Sequence, residues 1–403
     1  MCDQTGRNKS IELADIFVRY ADSYIEQHGV SSAQNKAIKA ISRCRTAELG
    51  GHVSRCDHCY AEEISYNSCR YRHCPKCQTT KQLRWLENRK AELLPVEYFH
   101  VVFTIPHELN GIASYNPSLI YNLLFKAAWS AIDTLGKDKK RLGGLMGMLG
   151  FLHTWGQNLS QHIHLHCMIP GGALCDSNEK KEWRESKPGF LFPVKVISKL
   201  FGRNFLTLLQ QAYKNEEIIF KNSIIELAEK ETFEKLVALL AGKSWNVYAK
   251  TPFNGSEGGL EYLSRYVSKT AIGNERIISC DNQKVTFKWR DYADESKPKL
   301  MTLDALEFIR RYLTHVLPNG FMRIRTFGFL ANSCKAKNID LILPLLNQLK
   351  RRDSEKKEEE SISELMQRIT GIDIHLCQHC KVGNLEIIKS ISCAKPLPYV
   401  DTS

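Results

Sequence analysis

Residues 147–172, GMLGFLHTWGQNLSQHIHLHCMIPGG, hold two apolar-rich runs joined by the short polar link GQNLSQ. Each run has strand length and strand composition, so the pair predicts an antiparallel hairpin. In the second run His162, His164 and His166 alternate with Ile163 and Leu165. Successive side chains of a strand point to opposite faces, so the three imidazoles share one face while Ile163 and Leu165 enter a core. Pro170-Gly171-Gly172 then ends the strand,. Neutral imidazoles two residues apart on one face can chelate a divalent ion. A solvated strand face that happens to carry histidines is the plain alternative.

Working outward, YFHVVFTIP (98–106) alternates as a strand, and a helical stretch follows around 117–134,. A strand near 189–197, helical stretches within 198–242 and a strand in SWNVYAK come next. RIISCD, KVTFKWRDY and GFMRIRTFGFL complete the strand set, with CDNQK and LPNGF as turns,. Strands grouped with helices, without a regular β-α repeat, predict an α+β antiparallel sheet with flanking helices and not a doubly wound one.

The chain has 403 residues and a formal charge of +12. That balance favours a polyanionic partner, nucleic acid before an acidic membrane surface. No apolar run reaches spanning length and the first residues lack a signal-peptide core, so the expectation is a soluble cytoplasmic protein without a membrane partner. In that compartment the 14 cysteines stay mostly reduced,. Their clustering points to metal.

CDHCYAEEISYNSCRYRHCPKC gives Cys56-x-x-Cys59 and, after fourteen intervening residues, Cys74-x-x-Cys77, the spacing of a four-cysteine zinc ribbon,. Cys44, His52, Cys69 and His73 surround it as ligands for a second Zn²⁺. Such a ribbon serves as a folding staple, as a DNA-docking module, or as both. Behind it, within residues 70–90, Arg70, Arg72, Lys76, Lys81, Arg84, Arg89 and Lys90 stand against a single acid, Glu87, and a helix is expected over 78–94. The one-sided charge suits phosphate.

FNGSEGGLEYLSRYVSKTAIGNE (253–275) has a pliant glycine entry and a short helix over Leu260 to Thr270,. Tyr262 and Tyr266, at i and i+4, share a face of that helix. Such pairs are ordinarily core or rim aromatics. Further on, LKRRDSEKKEEESISELMQR reads as a charged linker running into a helix, and HLCQHCKVGN carries the single knuckle Cys377-x-x-Cys380, for which Cys393 with His375 or His379 are candidate partners. The organisation expected is a helical segment (1–39), a zinc-binding domain with its basic helix (40–95), a catalytic domain (96–335) and a charged linker and tail (336–403).

ELGGHVSRCDHC, YNSCRYRHCPKCQ, YFHVVFTIPHEL, HTWGQNLSQHIHLHCMIPGGAL, EYLSRYVSKTAIGNERI and HVLPNGFMRIRTFGFLAN, in this order over roughly residues 40 to 335, resemble the rolling-circle insertion-sequence transposases. These join an N-terminal zinc domain to a two-tyrosine HUH (His, hydrophobic, His) endonuclease. The resemblance implies an HUH-type antiparallel sheet and makes His164 and His166 the ligands of a catalytic Mg²⁺ or Mn²⁺, with His162 outside the pair. Two histidines hold an ion weakly, so Gln157, at the end of the neighbouring strand, is the candidate third ligand. The resemblance makes Tyr262 and Tyr266 the nucleophiles that cleave and rejoin single-stranded DNA through a 5′-phosphotyrosine. Arg70, Arg72, Lys81, Arg84, Arg265 and Lys269 are the expected DNA contacts. A plasmid replication initiator or relaxase would share this chemistry. A metal-dependent hydrolase of another class and a non-catalytic zinc-ribbon DNA-binding protein are the further alternatives. None of these residues fixes an oligomeric state.

Overall fold

The computed structural model describes residues 11–77, 79–90, 92–177, 180–250, 270–292, 294–347 and 360–393. Its first elements are the amphipathic helices α1 (Leu13–His28) and α2 (Ser32–Ser42). A capping box opens α2: the Ser31 hydroxyl accepts from the Gln34 backbone amide at 3.3 Å, and the Ser31 backbone amide donates to Gln34 Oε1 at 2.9 Å,. Strands β1 (Gly51–Cys56) and β2 (Glu62–Tyr66) form a hairpin, and helix α3 (Thr79–Lys90) is the basic helix expected there. The chain continues through β3 (Tyr98–Thr104), α4 (Asn110–Tyr115), α5 (Pro117–Lys137), β4 (Gly147–Trp155), β5 (Gln161–Pro170), β6 (Gly172–Ser177) and β7 (Lys180–Glu185). Then come α6 (Val194–Lys214), α7 (Lys230–Ala241), β8 (Asn246–Lys250), β9 (Ile277–Asp281), β10 (Lys284–Asp291), β11 (Lys297–Asp304) and α8 (Ala305–Thr314). The last elements are β12 (Ile324–Gly328), α9 (Lys335–Leu345), α10 (Ile362–Thr370) and β13 (Leu385–Ile391).

The architecture is α+β with antiparallel sheets, as expected. The main sheet has the order β12-β4-β5-β3-β8, and every neighbouring pair is antiparallel. One face carries Leu152, Leu165, Cys167, Val101 and Phe103, which are buried under α5 and α6 in the largest core. On α6, Ile197, Phe201, Phe205 and Leu209 recur every four residues and are buried, and Phe201 meets Phe103 edge-on at 5.0 Å. That period is helical. The strand expected near 189–197 is therefore a loop ending at Pro193, which caps the start of α6 in extended backbone. Hairpin β6-β7 and strand β11 had no counterpart in the sequence reading.

The opposite face is divided. At one end Tyr98, Leu149, Phe151 and Met168 are covered by Trp85, Leu86 and Leu93 of the α3 region, with Trp85 edge-on to Phe151 at 5.6 Å. At the other end it carries the histidines of the hairpin.

A second core departs from chain order. α1 and α2 pack with α8 and the three-stranded sheet β11-β10-β9, together with Cys44, Cys69 and Cys74. Residues 277–313 thus share a core with the N-terminal helices, against which Trp155 of β4 and Leu159 of the hairpin turn also pack. The expected tail is also integrated. α9 packs beneath β6-β7 through Ile339, Ile342 and Leu343, and β13 pairs with β1, giving the sheet order β13-β1-β2. Among the described residues no helix is long and apolar enough to cross a membrane.

Candidate metal centre and zinc-binding module

Hairpin register builds the centre. His153 of β4 stands directly across from His164 of β5, and Phe151 across from His166. Side chains opposite one another in an antiparallel pair project to the same face. His153, His164 and His166 therefore converge, and one ring nitrogen from each lies within 4.8 Å of the others. The backbone carbonyl of His162 lies 2.8 Å from His164 Nδ1. A proton on Nδ1 satisfies that carbonyl and leaves Nε2 as a lone pair facing out. His166 Nδ1 lies 2.9 Å from Nε2 of His100 on β3. The tautomer in which His166 donates to His100 likewise frees His166 Nε2. Burial holds the His164 and His100 imidazoles down at about 4, so both are neutral at pH 7. His153 stacks on Trp155 at 4.7 Å, and His153 and His166 are buried while His164 is partly open. Three imidazoles with one accessible edge form a donor set suited to a divalent transition ion.

The pair named from sequence, His164 and His166, is brought together, and exposed His162 is outside the group. The third member of the histidine group is His153. Gln157 sits in the turn past the end of β4, where its amide nitrogen donates to the Tyr292 hydroxyl at 3.2 Å. His153 and His100 escaped the sequence reading; a register shift between His153 and Trp155 is what sets His153 opposite His164. Tyr262, Tyr266, Arg265 and Lys269 lie outside the described residues.

The cysteines regroup. Cys44, Cys69, Cys74 and Cys77 form one cluster, with Sγ–Sγ distances of 3.4 Å for Cys44–Cys77 and 3.6 Å for Cys69–Cys77. Four thiolates at about 2.3 Å from zinc would stand about 3.8 Å apart. Neighbouring sulfurs, Cys44 first, push the thiols of Cys69 and Cys74 up, and a bound cation is what reverses that cost. The expected foursome of Cys56, Cys59, Cys74 and Cys77 does not share one tetrahedron. Cys56 ends β1 and Cys59 lies in its turn, whereas Cys44 and Cys69 flank the other end of the hairpin, where Gly51 faces Tyr66. Five strand steps separate the two ends, about 17 Å. Cys56 and Cys59 instead group with Cys377 and Cys380.

His52 and His73 join neither cluster. His73 is buried and its Nε2 accepts from the Leu317 amide at 3.2 Å. Arg72 donates to the carbonyls of Leu317 at 3.4 Å, Pro318 at 2.7 Å and Phe321 at 2.5 Å. This guanidinium pins the zinc module to the loop before β12 and is not presented to phosphate, a correction to its expected DNA contact. Arg70 and Arg84 are exposed. Lys81 lies on α3, its side chain outside those described.

Residues 147–337 match a family described as "Putative transposase", and residues 16–105 match one described as "Transposase zinc-binding domain". The chain is 42% identical over 379 residues to "Putative transposase y4qJ" of Sinorhizobium fredii (strain NBRC 101917 / NGR234), covering 94% of this chain and 95% of that one. It is 24% identical over 314 residues to "Transposase for insertion sequence element IS801" of Pseudomonas savastanoi pv. phaseolicola, covering 76% and 73%. No solved structure matches.

Proposed function

Since the chain belongs to the IS91-type insertion-sequence transposases, we propose that it cleaves and rejoins single-stranded DNA with His153, His164 and His166 holding a divalent ion beside the scissile phosphate. The observation that carries this is the convergence of three imidazoles on one partly open sheet face. When bound there, the ion supplies Lewis-acid stabilisation of charge on the phosphate oxygens. Imidazole donors match Mn²⁺ better than Mg²⁺, which prefers oxygen. Tyr262 and Tyr266 are the nucleophiles. A phenol attacks the phosphodiester, forms a 5′-phosphotyrosine and releases a 3′-hydroxyl; bond energy is conserved, so no nucleotide is hydrolysed. Two tyrosines let one hold a 5′ end while the other accepts the next strand, which suits rolling-circle transfer.

His100 has a supporting part. It keeps His166 oriented and in the tautomer whose Nε2 faces the phosphate,. The exposed cations of the α3 region supply backbone affinity. A denaturing gel of the protein with a single-stranded element end and Mn²⁺ tests the reading. A covalent adduct is expected from the wild type and from at least one single Tyr→Phe variant, and none from the Tyr262→Phe/Tyr266→Phe double variant. An adduct persisting in the double variant would overturn the two-tyrosine assignment.

A further inference from the structure

We propose that Cys56, Cys59, Cys377 and Cys380 form a second Zn²⁺ site built by the two ends of the chain. Half of it lies outside both segments matched by the transposase families, 16–105 and 147–337. The four sulfurs stand within 4.8 Å of one another, with Cys56–Cys380 at 3.6 Å and Cys59–Cys377 at 3.7 Å. Those separations approach the edge of a zinc–thiolate tetrahedron, about 3.8 Å, and far exceed a disulfide bond of about 2.05 Å.

Backbone geometry gives a second, independent reason. Both Cys-x-x-Cys segments adopt the same turn. The residue after each second cysteine is left-handed, Tyr60 at φ 59° and Lys381 at φ 57°. Its amide closes back on the carbonyl of the first cysteine, Tyr60 to Cys56 at 3.1 Å and Lys381 to Cys377 at 2.9 Å. Amides point at the sulfurs: His58 and Cys59 donate to Cys56 Sγ at 3.4 Å each, and Gly383 to Cys380 Sγ at 3.3 Å. The two knuckles are also locked together, since Asn384 donates to Asp57 Oδ1 at 2.8 Å and Asp57 to the Asn384 carbonyl at 3.0 Å. Gly383 is needed there, because a Cβ would collide with Cys56 Sγ and with Asp57. Cys393 is not a ligand; its thiol donates to the Glu48 carbonyl at 3.0 Å.

The ligand pairs are more than 300 residues apart in sequence, Cys59 and Cys377 by 318. The ion therefore clasps β13 onto β1, turning β1 from an edge strand into the central strand of β13-β1-β2. The N-terminal sheet is complete only once the C-terminal segment has been made.

Native mass spectrometry of the intact protein should give two zincs per chain. Cys377→Ser and Cys380→Ser should each give one, and Cys393→Ser two. One zinc in the wild type, or two in Cys377→Ser, would overturn the site. Maleimide labelling of the unaltered protein gives a test independent of variant folding. Cys59 is exposed, so it should label slowly until a chelator is added and then label together with Cys56, Cys377 and Cys380. Labelling of Cys59 as fast as exposed Cys393 before chelation would refute the proposal.

Discussion

At the residue scale, the centre rests on three imidazoles and a fourth that orients one of them. Replacing His153, His164 or His166 by Ala should abolish DNA cleavage while leaving single-strand binding nearly intact, because Lys and Arg contacts to the backbone carry affinity. His162→Ala, at an exposed position, should do much less. Gel-shift and cleavage assays side by side check this, and equal loss at all four positions would contradict the grouping. His100→Phe keeps a ring but removes the partner of His166 Nδ1. Mn²⁺ affinity, read by titration, should fall about 10–100-fold, with DNA binding unchanged. Only half of this site was legible in the sequence. His164 and His166 announce themselves by a period of two within one strand. His153 lies eleven residues before His164, and its membership depends on cross-strand register. His100 belongs to a strand whose neighbour in the sheet no local pattern names.

At the element scale, the β4-β5 hairpin was legible because two apolar-rich runs of strand length are joined by a short polar link. The fate of its tip was not. Leu159 adopts φ 62° in that turn, yet its side chain is only 1% exposed, plugged into the second core between α8 and the zinc module. The tip thus anchors the strand ends that bring His153 opposite His164. Leu159→Ala should destabilise the protein by about 2–5 kcal/mol in denaturant titration, the usual cost of a buried leucine. Leu159→Gly should cost no more than Ala, because glycine relieves the left-handed backbone, whereas elsewhere it is worse than Ala by roughly 0.5–1 kcal/mol. A glycine variant distinctly less stable than the alanine one would contradict the strained turn. Another element missed was β13, LEIIKSI, exposed along most of its length. Its partner is β1, more than 300 positions earlier, and its apolar residues face no core that patterning could reveal.

At the scale of the whole molecule, the seam between the zinc module and the main sheet was illegible, because its chemistry is carried by buried polar groups that look like ligands in one dimension. His73 was read as a metal ligand and is instead neutral and buried, accepting from the Leu317 amide. His315 beside it has Nδ1 3.3 Å from the Thr154 hydroxyl and Nε2 3.1 Å from the Leu159 carbonyl. Nε2 donates to the Leu159 carbonyl, and in the neutral ring Nδ1 accepts from the Thr154 hydroxyl. Burial holds His315 at about 4 and His73 well below its ordinary value. In the unfolded chain both return to about 6.5. Between those limits the unfolded state binds protons that the folded state refuses, so stability falls as the pH is lowered from roughly 6.5 towards 4 and is insensitive to these groups above that window. Urea midpoints measured from pH 7.5 to 4.5 should therefore decline on the acid side. The decline should be shallower in His315→Gln, which cannot take up a proton but can still donate to Leu159. Zinc content followed in the same samples separates this slope from acid release of the metal. If wild type and His315→Gln lose stability in parallel while both retain zinc, the neutral histidine at the seam is not what makes the molecule acid-sensitive.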